Sequence, residues 1–162
     1  MMVHMNDLDL LSDLIRTNLN AEAAFSVCAH KTENERLGAM LLARALLCGQ
    51  AARRLTELLQ ARGGKLREQR PGESVAVPDW MALNAALIEH DDNAVRDECA
   101  RTEDETLLCF RDVLEQDLPT DIRRALENHF AAMLQYCGRL RKVRLHPARR
   151  AHRPAEVRDT AR

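Results

Sequence analysis

Aromatic side chains are scarce in this chain: three Phe, one Tyr and one Trp make up 3% of 162 residues. That argues against a sheet core built from aromatic and β-branched residues, and an apolar share of 46% dominated by Leu and Ala calls for aliphatic packing between helices. No run of 18 apolar residues occurs, and the N-terminal MMVHMNDLDLLSDLI lacks a basic region followed by a long uncharged apolar stretch. Membrane spanning and secretion are therefore not expected. The five cysteines are odd in number and show no C-x-x-C spacing. This speaks against a disulfide framework or a zinc site and for reduced thiols in a cytoplasmic setting. Serine-nucleophile elbows, phosphate-binding glycine loops and nucleotide fingerprints are all missing, so the sequence reads as that of a non-enzyme.

What is present is a pattern of two mirrored hairpins. Leu8, Leu11, Ile15, Asn18, Glu22, Phe25 and Ala29 form a stripe with 3-4 spacing, and Leu58, Leu55, Ala51, Cys48, Arg44, Leu41 and Leu37 form its partner in reverse. Facing residue numbers sum to 66, the register of an antiparallel helical hairpin turning near position 33. A second mirror pairs Val95, Cys99, Thr102, Thr106, Phe110 and Val113 with Arg144, Leu140, Cys137, Met133, His129 and Leu126, and its sums are 239.

These stripes predict a first long helix over about 7–31, a second over about 34–62 stopped by Gly63-Gly64, a third over about 92–116 and a fourth from the Asp117-Leu118-Pro119-Thr120 turn to about Arg144. Between the second and third, Asp79 suits the cap of a short helix reaching Leu87 and burying Trp80, Leu83 and Leu87. That 28-residue connection can span the bundle, since extended chain covers up to about 3.3 Å per residue. A crossover bundle, with the second and third long helices parallel, is favoured over simple up-down wiring. The domain is expected at 1–144. Residues 145–162 form a basic tail expected to be disordered. From Arg139 onward nine Lys and Arg face only Glu156 and Asp159, a charge of +7 that leaves −8 for the body of the chain.

Several short segments carry a family likeness: Asn20-Ala21-Glu22, Gly63-Gly64, the run Glu98-Cys99-Ala100-Arg101-Thr102-Glu103-Asp104, and Asp117-Leu118-Pro119. With them the chain, over about Asp7 to Arg144, resembles an uncharacterised family of bacterial ferritin-like four-helix-bundle proteins. The resemblance implies an all-α, ferritin-like fold and a bacterial origin, without a settled biochemical role. Ferritin-like metal proteins place a Glu on each of two helices and a Glu-x-x-His pair on each of the other two. Here only Glu22 and one of Glu98 or Glu103 match, and no Glu-x-x-His occurs.

Glu22 facing Arg44 has two readings. One is a buried ion pair that fixes helix register, the preferred reading, because breaking such a pair strands a charge at about 3–5 kcal/mol. The other is an altered metal site with Glu103 and His129 as further ligands. His129 among Leu126, Phe110 and Met133 reads as a core histidine, since no second ligand stands at helical spacing. The cysteines read as small buried apolar residues at differing heights, with Cys48 near Arg53 and Cys137 near Arg141 the passable thiolate candidates. Arg144, Arg149, Arg150 and Arg153 could grip phosphates, but no aromatic follows Tyr136 to stack on bases, so a solubilising tail is preferred to nucleic-acid binding.

The expectation is a non-catalytic, cytoplasmic ferritin-like bundle that has lost the di-iron ligands, needs no cofactor and acts on a protein partner or as a homo-oligomer. The alternatives are a metal-binding or oxidative-stress protein with a reduced ligand set around Glu22, Glu103 and His129, and a weak binder of nucleic acid or acidic partners through the C-terminal arginines.

Overall fold

The protein, seen in a computed structural model, is described over residues 5–68, 79–143 and 145. It is all-helical, with five helices among the described residues: α1 Met5–Lys31, α2 Glu35–Ala61, α3 Trp80–Ile88, α4 Asp92–Leu114 and α5 Thr120–Lys142. No helix among these residues is long and apolar enough to cross a membrane.

Short polar signals set the helix ends. The Asn34 side chain accepts from the Leu37 N–H at 2.9 Å and opens α2, while Asp79 and Asp91 do the same for α3 and α4 through the N–H groups of Ala82 and Ala94. Gly63 ends α2 at φ +70°, in the left-handed region, as its N–H and that of Gly64 donate to the carbonyls of Gln60 and Leu59.

α1 packs on α2 and α4, and α5 packs on α2 and α4, so the four long helices close a ring α1-α2-α5-α4. Two apolar clusters fill it. One, at the end carrying the α1–α2 turn, joins Phe25 and Cys28 of α1 to Leu37 and Leu41 of α2, Val95 and Cys99 of α4, and Leu140 of α5. The other, at the far end, joins Leu11 and Ile15 to Leu55, Leu59, Phe110 and Leu126. Neighbouring helices in the ring are therefore antiparallel, and α2 and α4 both start at the turn end and run parallel. The connection from α2 to α4 must travel the length of the bundle, and its first residues follow α1: the Arg67 carbonyl accepts from the Arg16 side chain, and the Arg67 side chain pairs with Asp9 and Asp13. α3 then covers the turn end with Leu83, Ala86 and Leu87. Trp80, expected to be buried with them, is instead exposed beside Met81 and Ile88. Trp80 shares the side of α3 that carries Leu83 and Leu87, but as the first residue of the helix it stands a turn before the buried stretch.

The helix ends lie within two residues of the expected ones. The basic residues Arg144, Arg149, Arg150 and Arg153 lie outside the described residues.

Candidate functional site

Between the two apolar clusters lies a polar layer. Arg44 enters it from α2 and Glu103 from α4, their side chains 3% and 1% exposed. Arg44 Nε donates to both Glu103 carboxylate oxygens at 2.9 and 2.7 Å, and Nη2 donates to Oε1 at 2.7 Å. Burial pulls the Arg44 pKa down, but the Glu103 hydrogen bonds and neighbouring groups overcome it and leave the guanidinium more firmly protonated than usual. Its Cζ stands 5.6 Å from the Phe25 ring centroid, a cation–π contact, and Nη1 is buried with no hydrogen-bond partner.

The expected pairing of Glu22 with Arg44 is thus corrected: Arg44 is matched to Glu103. Glu22 sits half-buried against α2 at Gly49, where an added Cβ would lie 2.7 Å from Glu22 Oε1. The reason is geometric. A hairpin register fixes height, whereas Arg44 reaches across the ring to α4, where Glu103 is enclosed and gains most from a counter-charge.

His129 lies on α5 with its ring centroid 5.3 Å from that of Phe110. Burial, aided by the Arg44 charge, lowers its pKa to about 4, so the imidazole is neutral, and Nε2 is buried without a hydrogen-bond partner. Glu22, Glu103 and His129 do not gather: no group of three or more His, Cys, Asp or Glu side chains among the described residues is arranged to hold a metal ion. The donor set does not fit a di-iron centre. Its one enclosed carboxylate is bound by a guanidinium, a fixed positive charge where such a centre needs ligands.

Thr102 and Thr106, facing the same interior, turn their hydroxyls back to the carbonyls of Glu98 and Thr102, and the Asn18 amide donates to the Leu14 carbonyl. The hydroxyls and the amide N–H are thus held by their own helices, while Asn18 Oδ1 is buried without a hydrogen-bond partner.

All five cysteines are thiols. Their heights do not all differ as expected: Cys28 of α1 and Cys99 of α4 are hydrogen-bonded to one another in the turn-end cluster. The Cys99 hydrogen bond lowers the Cys28 pKa against the opposing effect of burial, and Cys99 is raised well above the ordinary thiol value by that bond and by burial. Cys48 is pushed up to about 12, chiefly by burial, and Cys137 is also raised, so neither thiolate candidate of the sequence survives.

A cleft of about 440 Å³ opens between α2 and α5, the loosest seam of the ring. Its walls are Leu47, Ala51, Leu55, Ala125, Leu126 and Ala132. The polar residues Arg54, Arg124, Asp121, Gln50, Asn128 and His129 also line it. Sequence reading missed this cleft. Its one available signal was the alanine pair Ala125 and Ala132, seven residues apart on one side of α5.

Residues 6–116 match DUF2383, a domain of unknown function. The chain belongs to this family. The DUF2383 match runs from α1 through α4 and includes Glu22, Arg44 and Glu103, whereas α5, with His129 and one wall of the cleft, lies beyond it. No curated protein matches the chain.

Proposed function

We propose that this DUF2383 protein is a non-catalytic, ferritin-like bundle of the bacterial cytoplasm, working through its surface as a homo-oligomer or on a protein partner. The observation behind this reading is the bidentate Arg44–Glu103 pair. It gives the interior a neutral, hydrogen-bonded ion pair at the height where a ferritin-like metal protein gathers carboxylates and imidazoles. An interior neutralised in this way stores helix register instead of binding a cation. The outside supports the other half of the proposal. Leu46, Leu108 and Leu134 are 60%, 49% and 51% exposed on three of the long helices, and covering such side chains with a partner removes apolar surface from water.

Two measurements on the full chain test the reading. Elemental analysis after purification without chelator is expected to find no stoichiometric iron, manganese or zinc, and sedimentation velocity is expected to find association that weakens when Leu134→Glu or Leu46→Glu is introduced. One bound metal ion per chain would overturn the first half. A monomer at every concentration, together with no protein partner lost on the same substitutions, would overturn the second.

A further inference from the structure

The cleft between α2 and α5 has a feature the bundle itself does not require. Its walls are apolar and partly made of alanine, so the helices leave space that larger side chains would fill. Two arginines, Arg54 and Arg124, line it, one from each helix. Asp121, the carboxylate beside them, is already engaged: it pairs with Arg62, whose hydrogen bond lowers the Asp121 pKa. Among the described residues Arg54 pairs with Glu57 alone, at 3.2 Å, and both side chains are more than half exposed, so that pair is weak. Arg124 forms no ion pair among the described residues. His129, with its neutral ring and unpartnered buried Nε2, completes the wall.

We infer that this cleft binds a small apolar monocarboxylate, with the acid group held by Arg124 and Arg54 and the hydrocarbon body lying along Ala51, Ala125 and Ala132. The charge fits one class of ligand: Arg124 without an ion pair among the described residues and Arg54 held only by an exposed, weak pair with Glu57 favour an anion, and planar guanidinium matches a carboxylate in shape. The walls fix the rest. A site of a few hundred Å³ lined by Leu and Ala gains affinity by burying hydrocarbon, which a bare anion cannot supply. The inference is independent of the metal reading above, since no residue of the Arg44–Glu103 pair lines this cleft.

The test is a titration of the full-length chain with octanoate, followed by calorimetry and by the His129 ring proton signals in NMR, beside 1-octanol and acetate as controls. Octanoate is expected to bind one to one with a dissociation constant of about 1 mM or tighter. The His129 signals should move as it binds. Acetate lacks the body and 1-octanol the charge, and each should bind at least about tenfold more weakly. Arg124→Gln, on the exposed face of α5, should weaken octanoate about tenfold without altering the circular dichroism spectrum. Ala132→Leu, which fills the cleft, should abolish the His129 response. Absence of saturation, equal binding of 1-octanol, or indifference to Arg124→Gln would each overturn the inference.

Discussion

Arg44 and Glu103 join α2 to α4, diagonal helices of the ring, through three hydrogen bonds of 2.7–2.9 Å in a nearly solvent-free interior. Such a pair gains little over a well-packed apolar pair, yet breaking it strands a buried charge. Arg44→Leu alone is therefore expected to cost about 3–5 kcal/mol, with Glu103→Met costing a similar amount. The double variant should recover most of the loss. Glu22→Gln, at a half-buried position away from the pair, should stay within about 0.5 kcal/mol of the parent. Urea midpoints for the four variants decide the matter: simple addition of the two large losses would show that these residues do not act as a unit.

Gly49 and Glu22 form the second coupled pair. A methyl group at Gly49 would meet the Glu22 carboxylate at 2.7 Å, but that carboxylate is the far end of a flexible side chain and can swing away. Alanine also gains up to about 1 kcal/mol over glycine inside a helix. Gly49→Ala is thus expected to be close to neutral by itself and to stabilise by about 1 kcal/mol when Glu22→Ala has removed the obstruction. Equal effects in the two backgrounds, read from thermal or urea unfolding, would place Glu22 elsewhere.

How far the sequence could be read follows from which contacts lie inside a hairpin and which run between hairpins. The 3-4 stripes place Leu11, Ile15 and Phe25 opposite Leu55, Ala51 and Leu41, and all six are buried. The second mirror is equally good where it can be seen, with Val95, Cys99, Phe110, Leu126 and Met133 enclosed. The parallel course of α2 and α4 is the one that the length of their connection favours, since it can span the bundle. What spacing in one chain does not contain is the rotation of one hairpin against the other. Glu22 and Glu103 could both lie near the height of Arg44, and only that rotation chooses Glu103. The same blindness hid the Cys28–Cys99 contact from α1 to α4 and the cleft from α2 to α5. These three misses are contacts between hairpins, whereas the misplaced Trp80 belongs to the connection.

Cysteine reactivity should follow access rather than acidity. Cys28, Cys48, Cys99 and Cys137 are 0–7% exposed, whereas Cys109 is only partly covered. Although Cys99 lowers the Cys28 pKa, a reagent must wait for the bundle to open before it can reach that sulfur. Under native conditions iodoacetamide is expected to label Cys109 first, with the other four at least about a hundredfold slower. Timed peptide mapping by mass spectrometry checks the order, and labelling of Cys28 as fast as Cys109 would contradict its enclosure.

His129 makes stability depend on pH in a direction its environment fixes. Its folded pKa is lowered to about 4 from the ordinary 6.5, by burial and by the Arg44 charge, so between those values the unfolded chain binds a proton that the folded chain refuses. Stability from this residue is fully present above pH 6.5 and falls as the solution is acidified toward pH 4. A shift of that size, discounted for the partial exposure of the ring, amounts to about 2–3 kcal/mol. His129→Phe keeps a ring against Phe110 and removes the titration. Its stability relative to the parent should therefore rise by about 1–2 kcal/mol between pH 7 and pH 4.5, the part of the shift that this window covers, while carboxylates common to both proteins cancel in the comparison. Arg44→Leu should shrink the effect, because part of the shift comes from its charge. Urea unfolding of the three proteins across this range supplies the measurement, and parallel curves for parent and His129→Phe would mean that the imidazole is already solvated in the folded state.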